Sequence, residues 1–210
     1  MIVLVRHGEA THHTEHLTGG WTDSVLTDYG RYQMSKAGRS LACFFKHKFL
    51  TTPLRILCSD LRRASQSAEI IARELRFSGK IEPYEFLREK CNGQAANMSE
   101  PEAKKIFCKP EGDHVLDHRN YPGGETRQEF FDRTVRGVRQ YVDLERENVI
   151  IVAHKGSVQN IVFDWMGMSL AEVCAHNFSV DAQPSSITIL EVNSWHEHSV
   201  VRLNDVSHLW

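Results

Sequence analysis

The chain of 210 residues is the length of a single domain, with 41% hydrophobic and 25% charged residues, a composition that excludes a disordered chain. Its 25 Lys and Arg against 27 Asp and Glu leave a net charge of −2, so neither the basic excess of a nucleic-acid binder nor an acidic tail is present. No apolar stretch approaches the ~20 residues that span a bilayer, and the run Ile2 to Val5 is cut off by Arg6 and His7 before it could form a signal-peptide core; a cytoplasmic protein with no membrane contact is expected.

Ile2-Val3-Leu4-Val5 carries no alternating polar residue and predicts a central strand covered on both faces. Met34, Ala37, Leu41 and Phe44 form the stripe of a first helix. A second strand follows at Leu54–Cys58, then a helix whose apolar positions are Leu61, Ala64, Ala68, Ile71 and Leu75. From Lys90 to Gly124 the pattern is irregular, with Pro101, Pro110 and Pro122. This reads as an insertion over the active site, at about 90–124, with a short helix near Glu100–Phe107. Phe131, Val135, Val138 and Val142 mark a further helix, which leads into the strand Val149–Ala153. Later strands are expected at Ser186–Val192 and Val200–Leu203. Strands alternating with helices predict a three-layer α/β/α fold on a mostly parallel sheet, one domain over 1–210. The five cysteines (Cys43, Cys58, Cys91, Cys108, Cys174) are odd in number and lack CxxC spacing. Three of them sit in apolar patterns, which predicts reduced, buried thiols rather than disulfides or a zinc site.

Ligands of open α/β sheets bind beyond the carboxyl ends of the strands. Arg6-His7-Gly8-Glu9 follows the first strand, Ser59-Asp60-Leu61-Arg62-Arg63-Ala64 the second and His154-Lys155-Gly156 the third-named run at Val149–Ala153. Two histidines and at least two arginines thus reach one rim. Arginine forks and a helix N-terminus near Asp60 suit an anion, phosphate above all. A neutral imidazole among them can attack phosphorus and leave again. Gly8 and Gly156 are expected to let the backbone approach a ligand closely.

These residues resemble the signature of the histidine phosphatase superfamily, the phosphoglycerate-mutase-like enzymes. The resemblance continues through Gly20-Trp21-x-Asp23-x-x-Leu26-Thr27-x-x-Gly30-x-x-Gln33, Ser59-x-Leu61-x-Arg63-Ala64, Pro122-Gly123-Gly124-Glu125, His154-x-Gly156 and Asn204-Asp205-x-x-His208-Leu209. It implies a phosphoglycerate-mutase-like fold and selects Arg63 over Arg62 as a phosphate ligand. It further implies His7 as the nucleophile that becomes phosphohistidine, with Glu89 as proton donor. The resemblance also implies that His154 acts in catalysis and, with Arg6 and Arg63, holds the phosphoryl group. His13 replaces a more usual Asn that touches the phosphate and can still donate one hydrogen bond there. Lys155 and Asn97 also depart from the pattern. Lys155 either adds charge at the rim or points to solvent.

No metal is assigned to His12, His13 and His16, whose spacing does not impose a convergent geometry. His196 and His198 are read as a solvated surface. The expected activity is metal-independent hydrolysis of a small-molecule phosphomonoester without a cofactor. The alternatives are a cofactor-dependent phosphoglycerate mutase and a non-catalytic phospho-ligand binder. Against the mutase stand the short stretch from Glu89 to Gly124 and Cys91-Asn92, where a mutase would help itself with basic and aromatic groups. The oligomeric state is not specified.

Overall fold

A computed structural model of the chain describes residues 1–110 and 116–210. The part of the expected insertion at 111–115 lies outside the described residues. The elements are β1 (Ile2–Arg6), the one-turn helix α1 (Thr11–Thr14), α2 (Asp28–Lys46), β2 (Leu54–Ser59), α3 (Arg62–Leu75), β3 (Ile81–Tyr84), α4 (Glu100–Lys105), α5 (Arg127–Tyr141), β4 (Asn148–Ala153), α6 (Lys155–Trp165), α7 (Leu170–Ala175), β5 (Ile187–Val192) and β6 (His198–Asp205). Every strand and helix expected from periodicity is present.

The six strands form one sheet in the order β3-β2-β4-β1-β5-β6. β1, β2, β3 and β4 pair in parallel, whereas β5 and β6 add an antiparallel hairpin beside β1. The register sets Arg6 opposite Ala153 and Cys58 opposite Val152. The carboxyl ends of β1, β2 and β4 therefore finish along one edge.

Alternation along β1 divides the core. Val3 and Val5 pack with Met34, Leu41 and Ile71 of α2 and α3 on one face. Ile2 and Leu4 pack with Val138, Ile161 and Trp165 of α5 and α6 on the other. Each such fully buried aliphatic side chain contributes ~1.5–3 kcal/mol. All six residues of β4 are buried, as its unbroken apolar run requires. The layers are those of a mostly parallel α/β fold covered on both faces.

Four elements have no counterpart in the periodic reading, the one-turn α1 among them. β3 contains Pro83 and is an edge strand, where a missing N–H is tolerated. α6 buries Ser157, Val158, Asn160, Ile161, Val162, Phe163 and Trp165, so it lacks the polar face that makes a stripe visible. α7 is a short helix of six residues.

One expectation fails. Of the five cysteines only Cys58 is buried; Cys43 and Cys108 are exposed, Cys91 and Cys174 half-buried, and all are free thiols. Cys43 lies two residues past Leu41 and so turns to the opposite side of α2. His196 and His198 are both exposed, as expected, but His198 also makes specific contacts. Its ring stacks on Trp165 at 4.0 Å and its Nδ1–H donates to the Trp165 carbonyl over 2.8 Å. His196 occupies a turn position at φ 61°.

Candidate active site

His7 follows β1 and is 3% exposed. Its Nδ1 lies 2.7 Å from the Gly8 carbonyl. A carbonyl only accepts, so Nδ1 carries the proton and the neutral ring keeps its lone pair on Nε2. Arg63 Nε donates to that Nε2 over 3.3 Å. The loop after His7 is braced by the residues of the Gly20–Gln33 motif. Thr27 caps α2 and its hydroxyl also donates to Glu9 Oε1 over 2.7 Å; Gln33 Oε1 accepts from Glu9 N–H over 2.8 Å. A Cβ on Gly8 would stand 2.5 Å from the Gly30 carbonyl oxygen. Gly8 thus serves the packing of its own loop on α2.

Arg63 is 1% exposed. Its guanidinium donates to the carbonyls of Thr22 and Gly20 over 2.8 and 2.6 Å and to Ser24 Oγ over 3.3 Å. Arg62 points outward to Asp23 at 3.3 Å. The order of the two arginines is as expected.

Arg6 Nη1 donates to the Ala182 carbonyl over 2.7 Å. The 182–186 loop is itself tied to β1, because Ser185 N–H reaches the carbonyls of Arg6 and His7. The C-terminal motif holds that loop: Asn204 Oδ1 accepts from Gln183 N–H over 2.7 Å, and His208 Nε2 lies 3.4 Å from Ser185 Oγ. Arg6 Nη2 lies 3.2 Å from His13 Nε2, while His13 Nδ1 accepts from Ala10 N–H over 3.1 Å. With Nδ1 accepting, the ring proton of neutral His13 sits on Nε2. Two donors then converge, an arrangement that an anionic oxygen satisfies. Arg6 Nε is buried and has no hydrogen-bond partner among the described residues, which fits the same kind of ligand.

His154 is wholly buried, its ring centroid 5.0 Å from that of His7. Its Nε2 lies 2.9 Å from Ser59 Oγ, which also accepts from Leu61 N–H over 3.3 Å. The Ser59 hydroxyl can donate to Nε2 or accept from it, so the contact orients the ring, and a proton stands on Nδ1 in the tautomer in which Nε2 accepts. That Nδ1 finds no partner among the described residues.

Glu89 sits where the segment after β3 crosses the start of α6. Oε2 accepts from Gly156 N–H and Oε1 from Lys90 N–H, both over 2.9 Å. A side chain on Gly156 would overlap the Glu89 carboxylate and the Phe130 ring; this glycine makes room for a carboxylate of its own chain. The Glu89 carbonyl accepts from Trp21 Nε1–H and Arg133, over 2.8 and 3.1 Å. Arg133 also pairs with Glu125 at 2.6 Å, and Glu125 accepts from Cys91 N–H over 2.8 Å. Arg88 is held by Asp60 over 2.8 Å and covers Trp21.

The cleft among these groups measures about 370 Å³ and is lined by Arg6, His7, His12, His13, Leu17, Gly19, Gly20, Arg63, Glu89, Glu100 and Lys155. A larger groove of about 630 Å³ near the start of β4 has its Arg139 paired with Asp164, so size alone does not mark the site. Burial, ahead of the neighbouring arginines, holds His7 and His154 well below the ordinary histidine pKa. The same cause lowers His13 to about 4; for His12, burial and then His13 bring it to about 3. Arg63 is lowered by burial to about 10 and stays charged at neutral pH. Two guanidiniums thus face neutral imidazoles, an electrostatic bowl for a phosphate-sized dianion.

The structure brings Arg6, His7, His13, Arg63 and Glu89 to one cleft, with His154 adjoining His7 but absent from the cleft wall. Lys155 reaches the rim, where its ammonium pairs with Asp181 at 2.6 Å. Asn97, in place of a glycine, adopts φ 63° and accepts from Asp23 N–H, a left-handed conformation that Asn tolerates. Sequence reasoning missed His12, whose Nδ1 lies 2.9 Å from Ser24 Oγ, and the positioning groups Ser59, Glu125 and Arg133. Adjacency to His13 and inclusion in the quoted motifs were the available signals for His12, Ser59 and Glu125; Arg133 had none.

Fold and cleft together define an α/β protein of the class that gathers two histidines and two arginines at the strand ends of a mostly parallel sheet. The chain belongs to the histidine phosphatase superfamily, branch 1, whose model matches residues 2–206. It is 29% identical over 191 residues to the 2,3-bisphosphoglycerate-dependent phosphoglycerate mutase of Parvibaculum lavamentivorans, covering 87% of each chain. Among solved structures, Bacillus stearothermophilus YhfR aligns with TM-score 0.77 and 26% identity, over 100% of this chain and 98% of that one. The alpha-ribazole phosphatase of Shigella flexneri shares the fold with TM-score 0.75 at 20% identity, over 98% and 96%. Among the described residues no helix is long and apolar enough to cross a membrane.

Proposed function

We propose that the protein hydrolyses phosphomonoesters through a phosphohistidine on His7. One observation carries this reading: the unprotonated Nε2 of His7, fixed by its Nδ1–H···O=C bond to Gly8, lies beside the Arg63 guanidinium. The Nε2 lone pair attacks phosphorus as the bond to the ester oxygen breaks, and Glu89 delivers a proton to that oxygen. Water then attacks the phosphohistidine, the Glu89 carboxylate takes its proton, and the P–N electron pair returns to His7. Arg6, Arg63, His13 and His154 hold the phosphoryl oxygens, so that charge stabilisation and positioning carry both steps.

Rapid quench on His7→Ala and Glu89→Gln tests the scheme. His7→Ala is expected to form no acid-labile phosphoenzyme. Glu89→Gln is expected to slow phosphorylation by alkyl phosphates ~10²–10⁴-fold and by an activated aryl phosphate far less, since only the poor leaving group needs the proton. Equal losses on both would remove Glu89 from the role of acid. Aryl phosphate turnover is expected to persist with chelator present, because the arginines supply the positive charge.

The mutase relative supports a second reading, phosphoryl transfer between phosphoglycerates with bisphosphoglycerate as primer. Stimulation of phosphoglycerate isomerisation by added bisphosphoglycerate would favour it; hydrolysis alone favours the phosphatase.

A further inference from the structure

The cleft changes sign between floor and mouth. Its floor carries the Arg6 and Arg63 guanidiniums. At its mouth stands Glu100, the exposed first residue of α4, whose N–H donates to the His16 carbonyl over 3.0 Å. Leu17 and Ser99 form an antiparallel bridge beside it, which keeps the start of α4 against the loop after β1. Glu102, one turn into α4, is committed to Ser99 Oγ over 2.6 Å. Among the described residues the Glu100 carboxylate makes no ion pair, while the rim ammonium of Lys155 is neutralised by Asp181 at 2.6 Å. Leu17, Gly19 and Gly20 also line the cleft and carry no side-chain charge.

We propose that Glu100 is a specificity-determining residue. It selects phosphomonoesters whose alcohol is a neutral polyol or a cation, and it disfavours those with a carboxylate or second phosphate beside the ester. This inference rests on the phosphatase reading above. A hydroxyl or ammonium of the leaving group donates to the Glu100 carboxylate, whereas a carboxylate there meets a like charge, the rim ammonium of Lys155 being already paired with Asp181. For a separation of ~6 Å and an effective dielectric constant of ~40, that repulsion amounts to about tenfold in kcat/KM.

Glycerol 3-phosphate and 3-phosphoglycerate share a three-carbon skeleton and differ in a terminal CH2OH against a carboxylate. Their kcat/KM values, and their inhibition constants against aryl phosphate turnover, are to be measured for the wild type, Glu100→Gln and Glu100→Lys. The wild type is expected to favour glycerol 3-phosphate about tenfold, Glu100→Gln to bring the ratio near one, and Glu100→Lys to invert it. A ratio equal in all three proteins, or a wild type that favours 3-phosphoglycerate, overturns the proposal. A wild type with no aryl phosphate turnover would instead defeat the phosphatase reading; calorimetric binding of the same two anions to the three proteins then still decides whether Glu100 selects.

Discussion

Ser59 is a residue whose effect reaches the chemistry through another side chain. Its hydroxyl lies 2.9 Å from His154 Nε2; when it donates there, the ring proton stands on Nδ1, the nitrogen left without a partner among the described residues. If His154 offers that Nδ1–H to the phosphoryl group, loss of the hydroxyl releases the ring to the wrong tautomer. Ser59→Ala is expected to lower kcat/KM on aryl phosphate by on the order of 10–100-fold, the usual scale for removing the partner that orients a functional imidazole. Nitrogen-15 NMR of His154 checks the cause: the protonated nitrogen should no longer be confined to Nδ1. An unchanged tautomer signal with an unchanged rate would show that Ser59 is only filler. At this scale the sequence disclosed what lies on one short stretch of chain: Arg6 with His7, Arg63 and His154 beside strand ends. It could not disclose the Ser59–His154 pair, separated by 95 residues, because no local pattern encodes which strand ends become neighbours.

The start of α6 and the segment Glu85–Cys91 act as one element. Gly156 N–H positions the Glu89 carboxylate while Arg133 of α5 gathers the carbonyls of Phe86, Arg88 and Glu89. Gly156→Ala would push its methyl into that carboxylate. It is expected to remove most of the alkyl phosphate activity that Glu89→Gln removes, to spare aryl phosphate more, and to cost ~1–3 kcal/mol of stability through overpacking. In a Glu89→Gln background the same substitution should have little further effect on alkyl phosphate, since the two changes act on one group. Additive losses would show that Gly156 acts elsewhere. Helices α2 and α3 were legible because one face of each is wet. α6 was not, since its surroundings bury it almost all round. The clamp on Glu89 escaped for a different reason: Arg133 lies on an ordinary amphipathic helix, where a charged residue reads as solvent-facing until the 85–91 segment is laid against it.

Across the whole molecule the buried histidines link stability to pH. Unfolded, they titrate near 6.5; folded, His7, His12, His13, His154 and His208 are all lowered, chiefly by burial. Below pH ~6.5 the unfolded chain binds protons that the folded chain refuses, so stability falls as pH falls. The melting temperature is expected to be flat between pH ~7 and 8 and to decline steadily from ~6.5 toward 5. Ion-paired carboxylates such as Glu82 and Asp181, whose pKa values are lowered, act with the same sign only below the carboxylate range near ~4. Thermal melts of the wild type and of a His12→Gln, His13→Asn variant check this. The variant should show a shallower decline, and a wild-type melting temperature that is constant down to pH 5 would contradict the neutral-imidazole description.

β1 precedes its two sheet neighbours, β4 and β5, by most of the length of the domain, so they are made after it. The Ala182 carbonyl that steadies Arg6 and the His208 ring beside Ser185 also follow β4 along the chain. A nascent chain therefore carries His7 and both arginines on the ribosome long before it can arrange them. The anion bowl closes only when translation has delivered the hairpin of β5 and β6. Until then β1 is an apolar segment without its sheet neighbours, the kind of exposed surface that makes a partly folded chain prone to aggregation.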